Sequence, residues 1–469
     1  MMNMHWAQVE SDQSQRKTFP TKRVGRFFAF VIVWILTMTV LIPHVVIGGV
    51  SIGVDDACAA FLLMAYTIYA GYLLLKTNNL SLHKDWLFVA GLWVSLIVTG
   101  IVFSIIGGLV YVNQFRLPTE MWQYVKRLLF FYTTCHVSYR GLVSSGNFCR
   151  CMLYVLLIAF FIGLIQIMPG SIGDQLAGLY ARTESKLASM EKSFETLRNC
   201  GVAGHSTAWG GFAVFGVAVS LGGILSRRED HVKRPFYRFQ LWTLLVLAFI
   251  NTLFSGSRVA MAALLAVYLA ATFVGVIQAR RKFRFFLTYV AGFVLMGIGF
   301  AYVLWDRLVF LAFRYGALVE QSGGGRAEQV KAAMSLLRDG QGWLFGIGNA
   351  AQRAMATSFG TEVEPVYLLV NYGILGLSLR YGLLMIIFIY AWRQLKRAAH
   401  YDRDLTMATI LALTGYTVFS LGYFFYQELY SGMVPWLLFG WVVGAYYREN
   451  FLRRYRSTSS THSFREVLS

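Results

Sequence analysis

From Trp86 to Val112 the chain carries no charged residue, and its only polar side-chain atoms are hydroxyls and indole nitrogens. About 20 apolar residues cross a bilayer as a helix. In hydrocarbon every backbone N–H and C=O must be satisfied within the segment, which leaves a helix as the only open structure. The pattern recurs along the chain. Twelve spans are predicted: Phe27 to Ile47, Ala57 to Leu75, Trp86 to Val112, Tyr124 to Val137, Cys151 to Met168, Trp209 to Leu225, Phe239 to Phe254, Val259 to Val276, Phe285 to Trp305, Val366 to Trp392, Leu405 to Phe424 and Met433 to Tyr446. Only 14% of the 469 residues are charged, against roughly 25% in a soluble domain. The expected fold class is therefore an all-α polytopic membrane protein with about 12 transmembrane helices. A single bundle occupies 27–447, between cytoplasmic tails at 1–26 and 448–469, with larger external segments at 169–208 and 306–363.

The formal net charge of +19 invites a nucleic-acid partner, so the placement of the basic residues has to decide. With both termini inside, the cytoplasmic segments collect 27 of the 42 Lys and Arg. These include Arg16 to Arg26, Arg227 to Arg238, Arg280 to Arg284, Arg393 to Arg403 and Arg448 to Arg465. That is the positive-inside asymmetry, and anionic lipid accounts for the charge without nucleic acid. The first apolar run is of spanning length and lacks a small-residue cleavage site, so it reads as an anchor rather than a signal peptide. Five cysteines, an odd count, give no disulfide framework. Cys149 and Cys151 lack the further ligands of a zinc site, and no metal or other cofactor is expected.

Inside the spans two features stand out. Lys126 and Arg127 fall early in the fourth, where they either snorkel toward headgroups or mark an interfacial turn. Arg380 falls near the middle of the tenth, where a lone cation must face the bundle interior or a wet cavity, as a structural ion pair or a functional group.

The external segments carry the chemistry. Ile172 to Asn199 alternates apolar and charged residues at helical spacing and predicts an amphipathic helix. The second segment holds Gly323, Gly324 and Gly325, then a helix from Arg326 to Arg338, then a turn-rich stretch through Gly348. Three arginines share the external side: Arg198, Arg258 and Arg326. Ser255 and Ser257 are N-cap residue types, so the eighth span begins with unpaired N–H groups and a positive dipole end beside Arg258. Such an end with a guanidinium suits an anion. Candidate general bases are Glu362 and Glu364, carboxylates beside a low-dielectric wall, and secondarily His205. Gly346-Ile347-Gly348-Asn349-Ala350-Ala351 has the pattern of a dinucleotide-binding turn, but no strand precedes it.

The order of these residues resembles a known family. Arg198 with Gly201, Ser257-Arg258, Gly325-Arg326, Trp343-Leu344-Phe345-Gly346-Ile347-Gly348 and Glu364-Pro365-Val366-Tyr367 through Leu377 are similar to the O-antigen ligase and O-antigen polymerase superfamily, over about Arg198 to Leu377. The resemblance implies a GT-C-type glycosyltransferase of the bacterial inner membrane. It would act at the periplasmic face on undecaprenyl-pyrophosphate-linked glycan, with Arg198, Arg258 and Arg326 at the positions that hold pyrophosphate. Ligases of the family carry a histidine at the external start of the span that ends in Gly-x-x-Gly. Here Glu362 or Glu364 takes its place, which favours a repeat-unit polymerase. The implied partners are the lipid-linked donor and acceptor, membrane lipid and, as a candidate, a chain-length regulator protein. An O-antigen ligase, and a non-enzymatic flippase or transporter, are the alternatives.

Overall fold

The computed structural model describes residues 31–32, 34–37, 39–43, 45–47, 50–77, 84–113, 115, 120–168, 171–180, 199–226, 235–278, 287, 291, 309, 326–337, 341–349, 351–352, 362–397, 401–423 and 432–466. The predicted span Phe285 to Trp305, apart from residues 287 and 291, the run Gly323 to Gly325 and Arg198 lie outside the described residues. So does most of the predicted helix beyond Tyr180.

The described chain is almost wholly helical. The first predicted span is corrected: helix within 31–41 stops before Pro43, and Val45–Ile47 (β1) pairs antiparallel with Val50–Ile52 (β2), Val46 opposite Ser51. Proline supplies no N–H and restricts the residue before it, and the β-branched run that follows suits a strand. Thirteen helices follow among the described residues. They are α1 (Val54–Thr77), α2 (Lys84–Val112), α3 (Met121–Arg140), α4 (Ser145–Ile165), α5 (Ser171–Tyr180), α6 (Ser206–Leu225), α7 (Pro235–Phe254), α8 (Arg258–Gln278), α9 (Arg326–Ser335), α10 (Gln341–Phe345), α11 (Glu364–Leu395), α12 (Tyr401–Ser420) and α13 (Val434–Glu466). Six of these, α2, α4, α6, α7, α8 and α11, contain stretches long and apolar enough to cross a membrane. The last helix runs to Glu466, so much of the 448–469 tail continues a helix that the pattern ended at Tyr446.

Helix α6 forms the centre, packed on α7, α8 and α12. Of its apolar window 94% is buried, against 33% for α2; α2 therefore offers its outer face to lipid. Small residues let helices approach in the absence of a hydrophobic drive between them. A Cβ on Gly440 would collide with the Phe131 carbonyl, and one on Gly444 with that of Cys135, so α13 lies backbone to backbone on α3.

One end of the bundle is clamped by the first turn of α12. The Asp402 carboxylate accepts from Ser145 Oγ and pairs with Arg448 Nη2 at 3.0 Å, while Asp404 accepts from Ser226 Oγ and, at 3.4 Å, from Tyr237 Oη. These bonds tie the starts of α4, α7 and α12 to the end of α6 and to α13. At the opposite end lie the starts of α6, α8 and α13 and the candidate functional residues.

Candidate functional site

Three groups of side chains define this end. The first surrounds the turn between α7 and α8. Ser255 Oγ donates to Thr252 O at 2.7 Å and accepts from Ser257 N at 3.2 Å, closing α7. Ser257 Oγ accepts from Ala260 N at 3.3 Å and caps α8. The sequence reading of two N-caps is thus half right, because Gly256 at φ 59° reverses the chain between them. Arg258 is the first residue of α8 and is half-buried.

Asn199 docks on the same turn. Its N–H donates to Phe254 O at 3.0 Å. Its Nδ2 donates to Gly163 O at 2.8 Å and to Asn251 Oδ1 at 2.7 Å, and its Oδ1 accepts from Gly201 N at 2.7 Å. Asn251 Oδ1 also accepts from Trp209 Nε1 at 3.1 Å. A buried amide network this well satisfied fixes its members in one arrangement. The residue that follows Arg198 is therefore bonded to the residue four before Arg258.

The second group joins α6 to α12. His205, at the N-cap position of α6, stacks on Tyr423 with ring centroids 5.5 Å apart and planes 8° from parallel, and its Nδ1 lies 3.2 Å from Tyr423 Oη. That contact supports a positioned histidine; the sequence carried no hint of Tyr423. Three residues earlier, Ser420 Oγ lies 3.1 Å from Tyr381 Oη. This bond sets the Arg380 level of α11 beside the same end of α12.

The third group was misplaced by sequence reasoning. The predicted span Val366 to Trp392 is not one straight helix. Gly373, at φ 63° and ψ −170°, breaks α11 into a short arm and a long one. Glu364 Oε1 meets Arg380 Nε and Nη2 at 3.3 Å each. On an unbroken helix these residues, 16 apart, would stand about 24 Å apart along the axis at 1.5 Å per residue; the arm is folded back. Arg380 is 0% and Glu364 1% exposed. The guanidinium sits 5.0 Å from the Trp436 ring and 5.9 Å from the Tyr124 ring, which Arg127 also approaches at 5.3 Å. Expected at the outer wall as a base, Glu364 instead points inward to an arginine. Its Oε2 has no hydrogen-bond partner among the described residues. Glu362 precedes the helix and is half-buried. Arg380 faces the interior, as a cation in an apolar run must.

Lys126 and Arg127 neither snorkel nor mark a turn. Both are fully buried within α3, and Lys126 Nζ lies 2.6 Å from Asp55 Oδ2 and 2.7 Å from Asp56 Oδ1. Trp122 Nε1 donates to the second carboxylate at 2.9 Å. Two acids in the first turn of α1 offset one ammonium on α3, which makes the burial of the cation tolerable.

Arg326 is the first residue of α9, as expected, and α9 packs against α11. Ala333 of α9 and Leu337, just beyond its end, join Ile347, Ala351 and Val370 in a small separate core. At this end Asn199 is bonded to the turn that precedes Arg258, His205 to Tyr423 at the end of α12, and Tyr381, the neighbour of Arg380, to Ser420 of α12. Compared with protein-family models and with curated proteins, the chain shows no significant match.

Proposed function

We propose that the chain is an inner-membrane glycosyltransferase of GT-C type, spanning the membrane about twelve times with both termini cytoplasmic, that polymerises undecaprenyl-pyrophosphate-linked repeat units at the periplasmic face. The observation that carries this reading is the Asn199 N–H bond to Phe254 O, which puts the residue that follows Arg198 in the sequence on the turn that presents Arg258. Guanidinium groups there would hold the pyrophosphate of the donor. Preorganised charge of this kind stabilises a leaving group as its charge develops and is worth several kcal/mol.

The acceptor sugar hydroxyl attacks the anomeric carbon of the donor from the opposite face, its proton passes to a carboxylate, and the bond to the diphosphate breaks with inversion. The leaving diphosphate is a stabilised anion and needs no proton. Glu364 is sealed against Arg380, so we assign the proton to Glu362, the more accessible of the two candidate carboxylates, with Glu364 and Arg380 positioning the arm that carries it. Guanidinium takes the place of a divalent cation, so turnover is expected in excess chelator.

The test is elongation of a purified lipid-linked repeat unit. Arg258→Gln should abolish chain growth while the protein remains folded in the membrane. Wild-type chain length from that variant, or activity lost to chelator and restored by magnesium, counts against the reading. The break at Gly373 favours a second reading, since carriers bind substrate at discontinuous helices. Loss of a flippase traps repeat units on the cytoplasmic face, loss of a polymerase leaves single units outside, and loss of a ligase leaves lipid A core bare.

A further inference from the structure

The sequence pattern places 341–352 in an external segment, and the described part of it packs beside α2. A Cβ on Gly107 would collide with the Ile347 carbonyl, and one on Gly348 would lie 2.9 Å from Ser104 Cα. Phe345 packs edge-on against Phe103 at 5.1 Å. Ser104 and Gly107 lie eight and five residues before the end of α2 at Val112, a depth of about 8 to 12 Å at 1.5 Å per residue. At that depth α2 exposes Ile106, and one turn deeper Val102, the lipid-facing side of an apolar helix.

We infer that residues 341–349 form a re-entrant element inside the bilayer, and that Trp343, Leu344 and Phe345 contact acyl chains. Their exposures are 44, 50 and 45%, and Ile374 and Leu375 beside them are 51 and 42% exposed. From Gln341 to Gln352 the sequence has no charged residue, whereas Arg338, Asp339 and Arg353 flank it. Irregular backbone is tolerated at membrane depth only where protein satisfies its polar groups, and here it does. Gly346 N donates to Gly342 O, Ile347 N to Val370 O at 2.8 Å, and Gly348 N to Asn371 O at 3.1 Å. The carbonyls of Val370 and Asn371 are available because the break at Gly373 removes the helical donors they would otherwise receive. The buried Gln352 side chain is met by Asn371 Nδ2, 2.6 Å from its Oε1. The Gly-x-Gly of this segment thus serves close backbone approach between α2 and α11.

The placement does not depend on glycosyl transfer and is tested separately. The full chain, with Cys151→Ala to remove the half-buried thiol, carries an environment-sensitive fluorophore on Leu344→Cys in liposomes with and without brominated phosphatidylcholine. Ile106→Cys, on the exposed side of α2, supplies the bilayer reference and Arg453→Cys, 52% exposed on α13, the aqueous one. Quenching at Leu344→Cys should match Ile106→Cys and exceed Arg453→Cys at least threefold. Trp343→Cys repeats the measurement should the first variant fold poorly. Emission and quenching at both sites equal to those of Arg453→Cys would place the segment in water and overturn the inference.

Discussion

Glu364 starts α11 and Arg380 lies 16 residues along it, yet their side chains meet at 3.3 Å because the helix doubles back between them. A buried ion pair gives little net stability relative to apolar residues of the same shape, but removing one partner strands the other. Arg380→Met should therefore lower stability by about 3 to 5 kcal/mol, and Glu364→Gln/Arg380→Met should recover most of it. Thermal unfolding in detergent across the double-mutant cycle measures the coupling; strict additivity of the two single changes would show that the pair does not hold the arm.

The fold-back itself depends on Gly373. An L-residue at φ 63° with ψ −170° is in a region only glycine occupies readily, and a Cβ there would also strike the Leu344 carbonyl. Gly373→Ala should cost about 1 to 3 kcal/mol from backbone strain alone, with more from the collision. The expected signature is local. Protection of the Ile347 and Gly348 amides in hydrogen exchange should fall well before that of α6, because their acceptors are the carbonyls of Val370 and Asn371.

The sequence made the helices legible because apolar runs are long and charges bound them. Ser257 and Arg258 were placed at a helix start by residue chemistry alone, and the structure puts them there. What stayed hidden was long-range. Nothing near Lys126 reveals that the first of its acids, Asp55, lies 71 residues earlier on α1. Nothing local marks His205 as the partner of Tyr423, 218 residues away. Gly373 sits in Asn-Tyr-Gly-Ile-Leu-Gly, where a glycine inside an apolar helix and one that breaks it look alike. The first span was overread for the opposite reason: Val45 to Ile47 extends a hydrophobic run that Pro43 had already ended as helix.

The two candidate carboxylates should separate by experiment. Glu362 lies outside the helix and half-buried, so Glu362→Gln should leave the protein folded in the membrane while lowering turnover by about 100- to 10,000-fold, the usual contribution of a general base. Glu364→Gln leaves the buried Arg380 without its carboxylate, so it should lower the unfolding temperature and reduce activity mainly through loss of folded protein. If Glu362→Gln elongates at the wild-type rate, the base is elsewhere, and His205→Gln becomes the informative variant.

Cys200 gives a pH test of the network around Asn199. It lies in the turn before α6, outside the spanning helices, 1% exposed, with Sγ 3.6 Å from Gln166 Oε1. Burial disfavours the thiolate and pushes the thiol up from 9.0 to about 12. A raised thiol pKa means the reactive form is scarce below it: at pH 8 the thiolate fraction falls about 1,000-fold, since each unit is a factor of ten. Alkylation of Cys200 in the native protein should therefore be slow at pH 8 and climb about tenfold per pH unit with no plateau near 9. Asn199→Ala removes the bonds to Gly163, Asn251 and Gly201 and should open the turn, bringing the midpoint down toward 9. Mass spectrometry of the labelled peptide reads both curves, and identical profiles for wild type and variant would mean that Asn199 does not hold this turn in place.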